Sequence, residues 1–237
     1  MLPANSPFPC HWWGTAMADV GLAEQRPDRG TYGCYDYGRL PPLPFTLTGD
    51  FAWLAAAPAQ RQNIATKYGS ELGNAMRFLR ASANDLGLRL PEPFTKFIET
   101  STLQSRVRST TDCFLDLCPE LIRSPIGGGW LVHFLLDSQG CVFWYLYLTA
   151  DGSDYAVVAA PDFYSTEVEW SEGDETDSDD EEREDDDRDP SAIAFCAESF
   201  ESFMCRYWLE NEIGFAPFRS TPMSNAARQY IEQYRRM

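Results

Sequence analysis

Apolar positions fall into two rhythms along this chain, and the change between them divides it into helical and β regions. Ile64, Tyr68, Leu72, Ala75, Leu79, Ala83 and Leu86 recur every three or four residues, the spacing of one face of a helix. Gly87 stands where such a helix would end, and Gly69 and Gly73 weaken its middle, so the pattern predicts one kinked helix or two. A short helix is expected over 51–57, with Asp50 at its cap and Pro58 at its end. Another fits Pro91 to Glu99, carrying Phe94, Phe97 and Ile98 on one side. Further on, Phe200, Phe203, Met204, Tyr207 and Trp208 form an apolar stripe. Ser224 can cap a last helix bearing Ala227, Tyr230, Ile231 and Tyr234.

Between these helical stretches the period changes. Thr111–Leu117, Trp130–Leu136, Cys141–Leu148, Tyr155–Ala160 and Ile193–Cys196 read as strands. Asp137-Ser138-Gln139-Gly140 and Asp151-Gly152 supply tight turns, so the middle three predict an antiparallel meander. The run from Cys141 to Leu148 is apolar at every position, which predicts a central strand covered on both faces, with Cys141 buried. The expected fold class is α+β: an antiparallel (mixed) sheet with helices packed on one side.

Two segments depart from this plan. Residues 1–50 hold seven prolines among scattered glycines and aromatics, and predict an irregular N-terminal segment lying partly on the surface of a domain spanning 51–237. Residues 167–189 contain 15 acidic and 2 basic side chains. Most of the net charge of −17 therefore sits in one tract, and the remainder of the chain is nearly balanced. Self-repulsion and a shortage of apolar residues predict a disordered acidic loop at 167–190, inserted into the domain. The N-terminus lacks the pattern of a secretory signal, and the longest apolar run is far shorter than the roughly 20 residues a membrane helix needs. Seven scattered cysteines without a CxxC pair suit free thiols, and a cytoplasmic location is expected.

Several motifs in series carry a resemblance. They are Leu90-Pro91-x-x-Phe94-x-x-Phe97-Ile98, the loop Pro125-Ile126-Gly127-Gly128-Gly129-Trp130, and a hairpin from Val132 through Asp137 and Gln139 to Trp144-Tyr145-Leu146-Tyr147-Leu148. Asp151-Gly152 with Val157-Val158 follows, and then Ile193-Ala194-x-x-Ala197-x-Ser199-Phe200-x-x-Phe203. In this order they resemble the SUKH superfamily, which groups bacterial toxin-immunity proteins with fungal Smi/Knr cell-wall regulators. The resemblance covers roughly 86–215. It implies an α+β domain that binds other proteins, and it brings no shared catalytic set.

Nothing in the residues argues for catalysis. His133 sits between apolar neighbours without a partner motif, no Gly-x-Ser-x-Gly occurs, and Gly127-Gly128-Gly129 lacks the lysine of a phosphate loop. Asp177-x-Asp179-x-Glu181 begins a calcium-loop pattern, but Glu182 stands where glycine is needed. No metal or cofactor is expected. The expected function is a non-enzymatic protein-binding module, an immunity protein neutralising a basic, nuclease-type toxin. The alternative is a regulatory scaffold of the Smi/Knr type whose acidic arm is phosphorylated at Ser171, Thr176 or Ser178. Two sets of residues are candidates for the interface. Glu175, Asp179, Asp180, Glu181, Glu182, Asp185 and Asp186 would steer a basic protein, and Trp130, Trp144, Tyr145 and Tyr147 would form an aromatic platform if their sheet face is open. The partner is thus another protein, with no nucleic acid and no membrane, met by a monomer or weak dimer. Nucleic acid is disfavoured because no basic patch is visible along the chain.

Overall fold

The computed structural model describes residues 1–164, 188–218 and 223–237. These residues form an α+β fold. Strands β1 (His11–Gly14) and β2 (Gly33–Asp36) pair antiparallel in a small sheet. The main sheet holds β3 (Phe114–Leu115), β4 (Ile122–Arg123), β5 (Trp130–Leu136), β6 (Phe143–Leu148), β7 (Tyr155–Ala160) and β8 (Ala194–Ala197). Its order is β3-β5-β6-β7-β8, with β4 also on β5, and every pairing is antiparallel. The helices are α1 (Leu72–Asp85), α2 (Glu92–Glu99), α3 (Ser101–Gln104), α4 (Phe200–Phe215) and α5 (Asn225–Arg235). No described helix is long and apolar enough to cross a membrane.

The meander appears as expected, with β5 and β7 at their expected bounds. Alternation along β6 sends Trp144, Leu146 and Leu148 to the face that packs on helices, and Tyr145 and Tyr147 to the other. A bulge between His133 and Leu135 places Phe134 and Leu135 consecutively on the helical face. Phe134 there meets Phe200 and Phe203 of α4, with ring centres 5.2 and 5.6 Å apart, and Phe94 of α2 meets Phe200 at 5.1 Å. Helix α4 begins in a capping box, in which Ser202 N donates to Ser199 Oγ (3.1 Å) and Ser199 N donates to Ser202 Oγ (3.2 Å). Ser224 caps α5 by accepting from Ala227 N.

Among the described residues no α-helix packs on the second face. Phe8 and Ile193 close over it, with Tyr164 beside them, and Tyr145 and Tyr147 lie buried beneath.

Three expectations need correction. The helical pattern from Ile64 becomes a helix only at Leu72, because the Ile64 backbone is already engaged. Its N–H donates to Val107 O (3.0 Å) and its carbonyl accepts from Leu115 N (2.6 Å). The 51–57 helix shrinks to a single 3-10 turn, Ala52–Leu54, preceded by Phe51 at a positive φ of 61°. Residues 1–50, expected as an irregular segment partly on the surface, reach further into the core than that and pair β1 with β2. Phe195 N donates to Pro9 O (2.8 Å), tying the segment to the β8 edge, and Trp12, Met17 and Leu22 are buried in the main core.

The same segment delivers Arg26, fully buried, to Glu210 of α4. Arg26 Nη1 and Nη2 donate to Glu210 Oε1 (2.7 Å) and Oε2 (2.9 Å), a two-pronged contact. Trp12 Nε1 (2.8 Å) and Tyr230 Oη (2.9 Å) donate to the same carboxylate, and Arg26 also donates to Tyr234 Oη (2.8 Å) and Thr15 O (2.8 Å). Arg206 reaches Tyr230 Oη (2.6 Å) and Pro41 O (3.0 Å). Burial by itself would raise the Glu210 carboxyl, but Arg26, Arg206 and the Trp12 hydrogen bond together hold the group below the usual range. A Cβ at Gly14 would collide with the Arg26 guanidinium and the Trp12 indole, so the backbone passes this close only as glycine.

Removing one member leaves a buried charge unpaired. Glu210→Gln is therefore expected to cost about 3–5 kcal/mol of stability, read from urea unfolding. A loss below about 1 kcal/mol would mean that the network does not hold the segment in place.

Candidate functional site

The sequence candidates separate sharply in the structure. Glu175, Asp179, Asp180, Glu181, Glu182, Asp185 and Asp186 lie outside the described residues, as do Ser171, Thr176 and Ser178. Trp144, Tyr145 and Tyr147 are 1%, 0% and 2% exposed, so the proposed aromatic platform is core on both faces. Trp130 is half-buried and carries the Arg123 guanidinium over its ring at 4.5 Å. The platform is closed because Phe8 of the N-terminal segment packs on Tyr147, Tyr164 lies against Tyr145, and Trp144 packs on Phe203 of α4. Cys141 is also corrected: it is exposed in the turn before β6, its N–H donating to Asp137 Oδ2 (2.6 Å).

A different site is concave. Segments 60–67 and 108–114, Ser138 and the end of α4 enclose a cleft of about 730 Å³, within the usual range of ligand pockets. Backbone bonds set its walls. Gln60 N and Ile64 N donate to Ser105 O (2.7 Å) and Val107 O (3.0 Å). Asn63 and Thr66 fold the loop between them: Asn63 N donates to Thr66 Oγ1 (2.9 Å) and Ala65 N to Asn63 Oδ1 (3.0 Å). On the opposite wall Thr110 N donates to Asn211 Oδ1 (2.6 Å), which fastens that segment to α4.

Three cations line the cleft, Arg61, Lys67 and Arg108, against one carboxylate, Asp112. Lys67 Nζ stands 3.8 Å from the centre of the Phe114 ring, and the Arg108 guanidinium 3.7 Å from that of Phe215. Arg108 Nε donates to Glu212 Oε1 (3.1 Å), while its Nη2 is buried without a hydrogen-bond partner. Burial pushes the Glu212 carboxyl up, against the pull of Arg108. Arg61 is exposed. Gln60, Gln62, Ser109, Thr110 and Ser138 add hydrogen-bonding groups to the rim. The arrangement can bind an anion: a guanidinium fork and an ammonium supply the charge, aromatic floors fix both cations, and amides and hydroxyls complete the shell. The three cations are up to 47 residues apart in sequence, which is why no basic patch is visible along the chain.

The cleft has no histidine among its lining residues. Its one thiol, Cys113, is buried in hydrogen bonds with Tyr32 Oη (3.0 Å) and Thr111 Oγ1 (3.3 Å). Among the described residues no group of three His, Cys, Asp or Glu side chains is placed to hold a metal ion.

His133 lies apart, on the second face of the sheet. It is 1% exposed among Phe143, Tyr145 and Phe163, with Nδ1 4.0 Å from Asp116 and Nε2 unpartnered. Burial pushes its pKa down to about 4. Comparison of the chain with family models, curated proteins and solved structures returns no match. The resemblance to the SUKH superfamily therefore rests on its motifs alone.

The neutral His133 has a consequence for pH. Unfolded, the imidazole titrates near 6.5, and folded near 4. Between those values the unfolded chain binds the extra proton, so stability is full above about pH 6.5 and falls as the pH drops toward 4. The contribution is of the order of 3 kcal/mol. His133→Phe is expected to flatten this part of the stability profile in urea unfolding between pH 7.5 and 4.5. An unchanged difference between pH 7.5 and 4.5 would show that His133 is not held neutral.

Proposed function

We propose that this chain is a non-enzymatic protein-binding module whose cleft receives an anionic group of its partner. The observation that carries this reading is the convergence of Arg61, Lys67 and Arg108 on one concavity, in a chain of net charge −17. Elsewhere that excess of negative charge repels an acidic ligand, so binding concentrates where the field is reversed. Cation–π contacts hold two of the three charges in place, which lowers the entropy lost when a ligand arrives. The α+β architecture and the motif series support a module of the SUKH type.

A second reading is favoured by the 15 acidic residues of 167–189. In it the acidic tract captures a basic protein, in the manner of an immunity protein that neutralises a nuclease toxin. Such capture is fast and strongly salt-dependent. A Smi/Knr-like scaffold with a phosphorylated arm is a variant of the same idea.

One experiment separates the two. The chain is used as bait in lysate of its native cell in three forms, with quantitative mass spectrometry. The forms are wild type, Arg61→Glu/Lys67→Glu, and a form with the seven acidic residues from Glu175 to Asp186 named above changed to their amides. A partner bound through the cleft is expected to fall at least tenfold with the first variant and to persist with the second. The reverse pattern would place recognition on the acidic tract. Partners recovered equally by all three forms would sink both readings.

A further inference from the structure

The cleft does not end at Phe215. Thr110 and Phe215 line both it and an adjoining trough of about 250 Å³, whose other walls include Met17, Val20, Ile213, Pro217 and Phe218. One rim of the trough is Phe218, 80% exposed at the end of the 3-10 turn that follows α4. The two compartments differ in character. The cleft holds three cations and one carboxylate, whereas the trough is mainly apolar and its one charged wall residue is Asp19.

We infer that cleft and trough together seat one extended peptide segment of a partner protein. Its Asp or Glu residues lie against Arg61, Lys67 and Arg108, and a bulky apolar side chain a few positions away packs on Val20 and Phe218. This deepens the binding reading above and rests on it. Charge decides the orientation: Asp19 repels carboxylates from the trough, so the acidic part of the peptide is confined to the cleft. Hydrophobicity decides the ligand class. A small inorganic anion leaves the trough empty and Phe218 in water, and a nucleic-acid backbone running along both compartments would set a phosphate beside Asp19. A peptide with acidic and apolar residues side by side satisfies both compartments. Thr110, on the shared wall, already has its N–H bonded to Asn211 Oδ1 (2.6 Å), so the junction is held before any ligand arrives.

The test is selection of phage-displayed random twelve-residue peptides on the full chain, followed by fluorescence anisotropy of the enriched peptides. The comparison proteins are Arg61→Glu/Lys67→Glu and Phe218→Ser, substitutions at exposed positions, each checked for folding by circular dichroism. Enriched sequences are expected to place two or more acidic residues within a few positions of Leu, Phe or Trp. Their affinity is expected to fall at least tenfold in the charge variant and about fivefold in Phe218→Ser. Acidic peptides without apolar enrichment, insensitive to Phe218→Ser, would overturn the role of the trough and leave the cleft intact. Enriched peptides without acidic residues would overturn the cleft as well. If no peptide is enriched, the peptide proposal fails, and the lysate comparison still decides the fate of the cleft.

Discussion

The Glu210 carboxylate is the point on which the rest of this structure depends. It is buried in α4 and accepts from Arg26, Trp12 and Tyr230, so it joins the N-terminal segment to the two C-terminal helices. Without Arg26 the buried carboxylate would lose its only direct ion pair among the described residues, and without Glu210 the two buried guanidiniums of Arg26 and Arg206 would lose their shared counter-charge. The rings of Tyr35 and Tyr234 flank Arg26, the former at 4.2 Å, and exclude water from the pair. The network has little tolerance for partial loss, which suits a device that selects one chain path over others of similar hydrophobic content.

That chain path matters for what the sheet can do. With the N-terminal segment anchored, Phe8 packs edge-on against Tyr147 at 4.9 Å, and the face of the sheet that the helices leave bare is closed. The aromatic density of β6 is then spent on the core. The concavity lies instead at the edge near β3, where loop, strand and the end of α4 enclose the cleft. Carboxylates on the chain supply one side of this electrostatic picture and the cleft supplies the other. The tract of 167–189 and the Arg61–Lys67–Arg108 cluster would favour partners of opposite charge.

The protonation behaviour of the core follows the same logic. Burial pushes up the phenols of Tyr145 and Tyr230 and the thiols of Cys196 and Cys205, the last to about 12. These groups stay neutral across the physiological range, and Tyr230 in that state donates to Glu210 and accepts from Arg206. His133 belongs with them: its ring is one more flat side chain among Phe143, Tyr145 and Phe163.

Local patterning was enough to place the central meander and the helices α2, α4 and α5, but not β1, β2, β4 or α3. The apolar runs of β5, β6 and β7, the tight turns between them and the apolar stripe of α4 are short-range properties, set by backbone geometry and by which side chains can share a face. The caps at Ser199 and Ser224 are local in the same sense. Contacts between residues far apart in sequence were decided only by the tertiary structure. Ile64 was drawn out of its helical pattern by Val107 and Leu115, and Arg26 was carried to Glu210 across 184 positions. Tyr147 was buried under Phe8, in a segment whose prolines and glycines gave no sign of a core role. The cleft is the clearest case. Each of its three cations is unremarkable where it stands in the sequence, and they share one concavity because hydrogen bonds from 60–64 to 105–107, and from Thr110 to α4, bring their segments together. Charge acts through space over several ångströms, whereas periodicity acts through the chain, and only folding converts the one into the other.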